Sequence, residues 1–392
     1  MTAVPAVTGN QVRAYRILVS GLDRAASHPR KLPLWDLGIQ DRDGSTRLAL
    51  AARLADPTAV PDLPDPGSRS WSALVWSLRG SPHLHRRADL GRTSAALWPA
   101  DPADAKARLS GDAGRLLGDG ADPLEAFAVV ADGMREVITA PMVKGEASAA
   151  VTAALPAEFS GFCPGCDTVH VRELLFRLAA LPAGLGLVPD TKPVVLAPLS
   201  GSSTRPDEQQ GLADVASQCY RQFGVGTPSD VGAHLGTSAA GIRPALPDDL
   251  VPVTVDGMKS RVPASLLGSI VDIDEEAAAG ITRLLPPSDP LLQPRDRAVL
   301  TTDAGQRKEL WPVIGSPGAV LADGGIAGTW RTRASSGALT ITVNPWRTLR
   351  PAEQAMLKDE AQLVGQIRAA KRTTLVSAEE SSWRMTAVSV SG

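Results

Sequence analysis

The chain has 392 residues, 43% hydrophobic and 21% charged, with a formal net charge of −2. At roughly 100–200 residues per domain this length implies two to four folded units, and the apolar share excludes wholesale disorder. No apolar run reaches about 18 residues and no basic-then-apolar leader opens the sequence, so neither a membrane span nor a secretory signal is expected. Three cysteines do not make a disulfide framework, and the expected setting is cytoplasmic.

Charge is unevenly distributed along the chain. Arg supplies 32 of the 40 basic residues and Lys eight; Arg is the side chain that grips phosphate with a bidentate fork. Met1 to Asp56 holds eight basic and five acidic residues, and Arg79 to Arg92 holds four basic against one acidic. Acids gather instead at Asp248-Asp249 and Asp272 to Glu276. Such segregation can put a basic groove on a near-neutral protein; a solvated mixed surface is the alternative.

In chain order, Gln11 to Ala25 is amphipathic, with Val12, Tyr15, Ile17, Leu18 and Leu22 at helical spacing, and Pro33 to Leu37 and Ser45 to Leu54 add two helical pieces. Pro57 to Pro66, with four prolines, is a connector. Trp71 to Leu78 reads as a strand turning at Arg79-Gly80. A second group opens at Asp122-Pro123 with a helix through Val137, followed by helices over Pro141 to Leu155 and Val169 to Leu181. The segments Leu185 to Val188 and Pro193 to Ala197 then flank a turn at Asp190-Thr191-Lys192. The third group is the clearest. A helix begins near Gln209, and Thr227-Pro228-Ser229-Asp230 opens another that stops at Gly236. Thr237 and Ser238 can cap a third helix, reaching Leu246. Leu250 to Val255 and Met258 to Val262 flank Asp256-Gly257, a type I′ hairpin signal.

Three helices followed by a hairpin form a winged helix-turn-helix. The expected fold is therefore α+β: tandem winged helix-turn-helix modules over residues 1–118, 119–204 and 205–280, then a small C-terminal antiparallel β-sheet or barrel with a closing helix over 281–392. In that last unit Asp323-Gly324 and Ser335-Ser336-Gly337 mark the turns, Pro351 to Ala370 is the closing helix, and the segment after Lys371 is poorly patterned and prone to fray.

Several residues carry possible chemistry. Cys163-Pro164-Gly165-Cys166 with His170 has the spacing of half a zinc site. A fourth ligand is not evident; Cys219 is the only other thiol, and His83, His85 and His234 are the nearest remaining imidazoles in sequence. The alternative is two reduced thiols and a capping or DNA-facing His170, at the start of the third helix of its module. His83, His85, Arg86 and Arg87 follow a strand and read either as a phosphate-touching loop or wing, or as a solvated basic turn. Arg331 and Arg333 share one face of a strand, whereas Trp330 and Trp346 read as core. Arg42, Arg47, Arg79, Lys144 and Arg172 complete the candidate DNA contacts. Glycine-rich nucleotide fingerprints are absent.

The runs Asp289-Pro290-Leu291-Leu292-Gln293-Pro294-Arg295-Asp296-Arg297, Gly318-Ala319-Val320-Leu321-Ala322-Asp323-Gly324 and Gly328-Thr329-Trp330-Arg331 resemble the winged-helix DNA glycosylase family (AlkZ-like, YcaQ-like). The resemblance spans about residues 10 to 350. Leu37-Gly38-Ile39-Gln40 sits where that family carries its N-terminal catalytic segment, and Arg79 to His85 where an Arg-x-x-x-His stretch is often seen. The resemblance implies tandem winged helices and a small β-barrel around a C-shaped DNA channel. It also implies hydrolysis of the N-glycosidic bond of alkylated or bulky-adduct purines in double-stranded DNA, by a nucleoid-associated monomer needing no cofactor. An N7-alkylated purine is a good leaving group, so a carboxylate or carboxamide that places water and offsets the oxocarbenium charge suffices.

Family members use Gln-apolar-Gln or Gln-apolar-Asp, whereas this chain has Gln40-Asp41-Arg42. Arg42 stays protonated and cannot be the base. The candidate catalytic groups are thus Gln40, Asp41 and Asp43; alternatively Asp41 to Gly44 is a polar turn in which Asp43 or Ser45 caps the next helix. If the triplet is inactive, the same scaffold would be a non-catalytic DNA-binding protein or a transcriptional regulator.

Overall fold

The computed structural model describes residues 4–109, 121–201, 205–378 and the backbone of 388–389. The expected unit boundaries at 118/119 and 204/205 fall on or against residues outside this set. The architecture is mixed α+β, with five small sheets among the described residues.

Strand β1 (Ala6–Val7) leads into helix α1 (Gly9–Val19) through a capping box. Thr8 Oγ accepts from Gln11 N, and Gln11 Oε1 accepts from Thr8 N. The helix ends earlier than its apolar spacing suggested, because Gly21 takes a positive φ of 77°. Then come β2 (Ile39–Gln40), α2 (Ser45–Ala51), β3 (Ser72–Trp76) and β4 (Pro82–Arg86), which form one antiparallel sheet in the order β2-β4-β3. Helices α3 (Leu90–Leu97) and α4 (Pro102–Arg108) follow.

The next region holds α5 (Pro123–Val137), capped by Asp122, then β5 (Met142–Val143), α6 (Lys144–Ala154), the hairpin β6 (Gly161–Cys163) and β7 (Thr168–His170), α7 (Glu173–Ala180), β8 (Leu185–Leu187) and β9 (Val195–Pro198). The helix expected from Val169 starts only at Glu173. Val169 and His170 belong to a strand, so His170 does not open a helix; the Cys163–Cys166 turn folds the preceding segment back on them. Trp35, Leu50, Trp76 and Leu84 share one core with Phe127, Val130, Phe176 and Leu196. The first two regions are thereby fused through edge-on contacts such as Trp76 on Phe176, 6.3 Å between centroids.

Helices α8 (Leu212–Phe223), α9 (Pro228–Leu235) and α10 (Ala239–Ile242) precede the hairpin β10 (Leu250–Val255) and β11 (Met258–Pro263). Thr227 and Asp230 form the expected capping box, Gly236 closes α9, and Asp256-Gly257 turns with both φ values positive. α10 is shorter than expected because Pro244 interrupts it. β1 joins this hairpin, parallel to β10, and α1 packs beneath it through Val12 and Tyr15. Two short helices, α11 (Ala264–Val271) and α12 (Glu275–Ala279), lead away.

The C-terminal unit comprises β12 (Arg283–Leu285), α13 (Ala304–Leu310), β13 (Gly318–Ala322), β14 (Gly325–Ser335), β15 (Ala338–Pro345), α14 (Pro351–Ile367), β16 (Arg372–Ser377) and β17 (Val388–Ser389). Its sheet is six-stranded and mixed rather than purely antiparallel, since β16 pairs parallel to β15. Parallel neighbours need a crossover, and α14 supplies it. Within the segment expected to fray, Arg372–Ser377 is a strand whose Leu375 is buried in the core beside Ile341 and Leu357. Trp330 is core, its indole N–H donating to Leu285 O at 2.8 Å, and Trp346 is tied to Glu309. Among the described residues no helix is long and apolar enough to cross a membrane.

Candidate active site and nucleic-acid interface

Arg79 is the hub of the site. It sits in the tight turn between β3 and β4, where Arg79 and Gly80 both take positive φ, 56° and 65°. Its guanidinium donates to the carbonyl of His234 at the end of α9, to Gln293 Oε1 at 3.2 Å and, at 3.5 Å, to Gln40 Oε1. All three partners are carbonyl or amide oxygens, so the charge is not neutralised. Burial, and then the nearby Arg295, pull the Arg79 pKa down to about 9. Arg295 is itself partly buried, with Nε lacking a hydrogen-bond partner.

Gln40 reaches this hub because β2 pairs with β4 in a register that sets Ile39 against Leu84 and Gln40 against His83. Side chains alternate along a strand, so Ile39 enters the core and Gln40 faces the hub. Gly38 is required just before: its φ is 76°, and an added Cβ would lie 2.4 Å from the His85 ring. His83 and His85 are both buried, bonded to Ser81 O and Ser77 Oγ at 2.9 Å. Burial lowers both pKa values, that of His85 to about 4. They belong to a strand in the sheet and not to a phosphate-touching loop or wing, because β3 and β2 cover β4 on both edges.

The neighbouring carboxylates are directed elsewhere. Asp41 Oδ1 accepts from Thr46 N at 3.1 Å, in the first turn of α2, while Asp41 N donates to Pro82 O. Asp43, at φ 53°, pairs in solvent with Lys192 at 3.0 Å; that hydrogen bond lowers its pKa. Arg47 pairs with Asp190 at 2.8 Å. The 41–47 loop is thus fastened to the turn between β8 and β9.

A family model described as DNA glycosylase AlkZ-like matches residues 37–367. The chain belongs to the AlkZ-like DNA glycosylase family. Among solved structures it is similar to Streptomyces sahachiroi DNA glycosylase AlkZ, with a TM-score of 0.68 at 18% identity, over 95% of this chain and all of that one. No curated protein matches the sequence. Membership makes DNA the substrate and DNA repair the setting of this AlkZ-like chain.

The remaining expected contacts divide into free and committed groups. Arg42, Arg331 and Arg333 are exposed, the last two on a stretch of β14 where five successive residues are exposed. Arg331 donates only to Gly315 O. Arg86 is paired with Asp36 and Asp89, and Lys144 with Glu173. Arg87 spends its donors on the carbonyls of Ser70, Ser200 and Pro66, which gives it an internal role. Arg172 Nε is buried without a hydrogen-bond partner. Cys163, Cys166 and His170 do meet. The suggested fourth ligands lie elsewhere: Cys219 is buried in the core around α8, and His83, His85 and His234 are buried near the hub.

Sequence reasoning missed an open cleft of about 670 Å³ beside the hub, lined by five basic side chains, Lys259, Arg295, Arg297, Arg307 and Lys308, against Asp230 and Asp296. Arg297 stacks over Trp311 at 4.9 Å. The signal was the 289–297 motif itself, read for its resemblance alone and not for its charge. Buried ion pairs position that segment: Arg53 to Asp289 through two bonds of 2.7 Å, and Arg16 to Asp296.

Proposed function

We propose that the protein is a monofunctional glycosylase hydrolysing the N-glycosidic bond of alkylated or bulky-adduct purines in double-stranded DNA, acting as a monomer at the nucleoid with no cofactor required for the chemistry. The carrying observation is the convergence of Gln40, Arg79 and Gln293 beside the basic cleft. The Gln40 carboxamide would orient the attacking water. Arg79 and Arg295, without carboxylate partners, would draw phosphates alongside the sugar. Those phosphates would then offset the oxocarbenium charge, Asp41 being engaged with Thr46 N. Arg42, Arg47, Arg331 and Arg333, with Arg86, Lys144 and Arg172, would line the duplex path.

The helix-helix-helix-hairpin order of 212–263 supports a winged-helix module there. Tandem modules over 1–118, 119–204 and 205–280, with a C-terminal unit over 281–392, remain the proposed organisation, α1 lending its apolar face to the third module. The test is release of 7-methylguanine and of a bulky purine adduct from treated duplex DNA. Release above that of Gln40→Ala is the expected result; equal, background release from both proteins overturns the reading.

One observation favours a second reading. The carboxylate of the triplet is a cap and Arg42 occupies its third position, the pattern expected of a scaffold that binds lesions without cleaving them. Tight binding with a steep salt slope but no base release across the panel would select it.

A further inference from the structure

We propose that Cys163, Cys166 and His170 bind one Zn²⁺, with solvent in the fourth position, and that this ion holds the β6–β7 hairpin together. Their ligand atoms already lie within 4.8 Å of one another. A tetrahedral zinc with bonds of about 2.0–2.3 Å separates its ligands by roughly 3.5–3.8 Å. Binding thus contracts the cluster by about 1 Å, within the reach of side-chain rotation.

Three features single out a metal. First, His170 Nδ1 lies 2.7 Å from the Val171 carbonyl. A carbonyl only accepts, so Nδ1 carries the proton and Nε2 keeps its lone pair. Nε2 is buried without a hydrogen-bond partner. An imidazole anchored through one nitrogen with the other left bare is the arrangement that orients a metal ligand. Second, Cys166 N donates to Cys163 O at 3.1 Å, so the Pro164-Gly165 turn brings both sulfurs to one side. Thiolates with one imidazole select zinc over magnesium or calcium.

Third, the hairpin has little support of its own beyond its contact with α6. It is a two-stranded sheet of three residues per strand, with no third strand beside it among the described residues. Its apolar cross-strand pair, Phe162 and Val169, stands in solvent at 55% and 53% exposure. A two-stranded hairpin whose apolar pair is uncovered is marginal in water, and small elements of this kind rely on a disulfide or a metal. Asp167, next to Cys166 in sequence, is exposed and is not among the groups that meet here, and Glu173 is held by Lys144 and Arg177 at 2.7 and 2.5 Å. The fourth position therefore falls to solvent, and Cys166, being exposed, leaves the ion open to chelators.

The experiment measures metal content by mass spectrometry on the full chain, purified under reduction, together with a Co²⁺ titration of the chelator-treated protein. The expected result is one equivalent of zinc per chain, and a thiolate-to-cobalt charge-transfer band with the intense visible bands of a tetrahedral site. Cys163→Ser should lose both, whereas Cys219→Ala, altering the thiol outside the cluster, should keep both. Because the cobalt spectrum is read on the unaltered chain, it does not depend on any variant folding. A zinc content equal to that of a Cys163→Ser, Cys166→Ser double variant, with no cobalt band, would overturn the proposal. So would a Cys163–Cys166 disulfide that reduction opens without restoring metal uptake.

Discussion

Gln40 and Asp41 are adjacent, yet the backbone gives them different work. Gln40 is the last residue of a strand and faces Arg79; Asp41 turns back and accepts from Thr46 N in the first turn of α2, as a capping side chain would. Substitution separates the two roles. Gln40→Ala should abolish most base release while leaving the melting temperature near that of the native protein, since the side chain lies outside the apolar core and its hydrogen bond to Arg79 is long, 3.5 Å. Asn caps a helix about as well as Asp, whereas Ala costs about 1 kcal/mol. Asp41→Asn should therefore retain both activity and stability, and Asp41→Ala should lose stability by that amount in denaturant melts. Inactive, fully stable Asp41→Asn would instead make the carboxylate a participant in the chemistry.

At the scale of elements, the site depends on how β2 approaches β4. Gly38 lies beside the His85 ring at a φ of 76°, so Gly38→Ala meets both backbone strain and a clash. Strain at such a position costs on the order of 1–3 kcal/mol. The expected outcome is a lower melting temperature together with lost activity, because β2 must shift and carry Gln40 with it. Elements like these show what a sequence displays. The Thr227 capping box and the Asp256-Gly257 and Asp323-Gly324 turns were legible because each is set by neighbours three or four residues apart. The β6–β7 hairpin was not, since Thr168 to His170 carry the same apolar content as a helix start. Neither was the pairing of β1 with β10, nor β16, where the partner strand lies tens or hundreds of residues away. Gln40 was visible as a motif position, whereas its convergence with Arg79 and Gln293 joins segments that only the folded chain brings together.

Across the whole molecule, buried ionisable groups join the parts and make stability sensitive to conditions. Arg53 and Asp289 are both inaccessible to solvent and bonded twice. Asp289→Ala strands a buried guanidinium, and breaking such a pair costs about 3–5 kcal/mol; a correspondingly earlier denaturant midpoint is expected. The histidines set the acid limit. His83, His85 and His234 are buried, and burial, the first cause in each case, lowers their pKa values from 6.5, that of His85 to about 4. Below pH 6.5 the unfolded chain takes up protons that the folded chain refuses, so unfolding becomes more favourable as pH falls. The stability of the neutral form is fully present above pH 6.5 and declines towards pH 4, each group contributing up to about 1.4 kcal/mol per unit. Glu353, held down to about 2 by Arg347, loses its contribution only at lower pH, between its usual 4.5 and that value. Melting temperature should therefore fall steeply as pH drops from 6.5 to 4. His85→Asn, which no longer titrates there, should shallow that slope, and a slope unchanged from the native protein would show that His85 is protonated alike in both states.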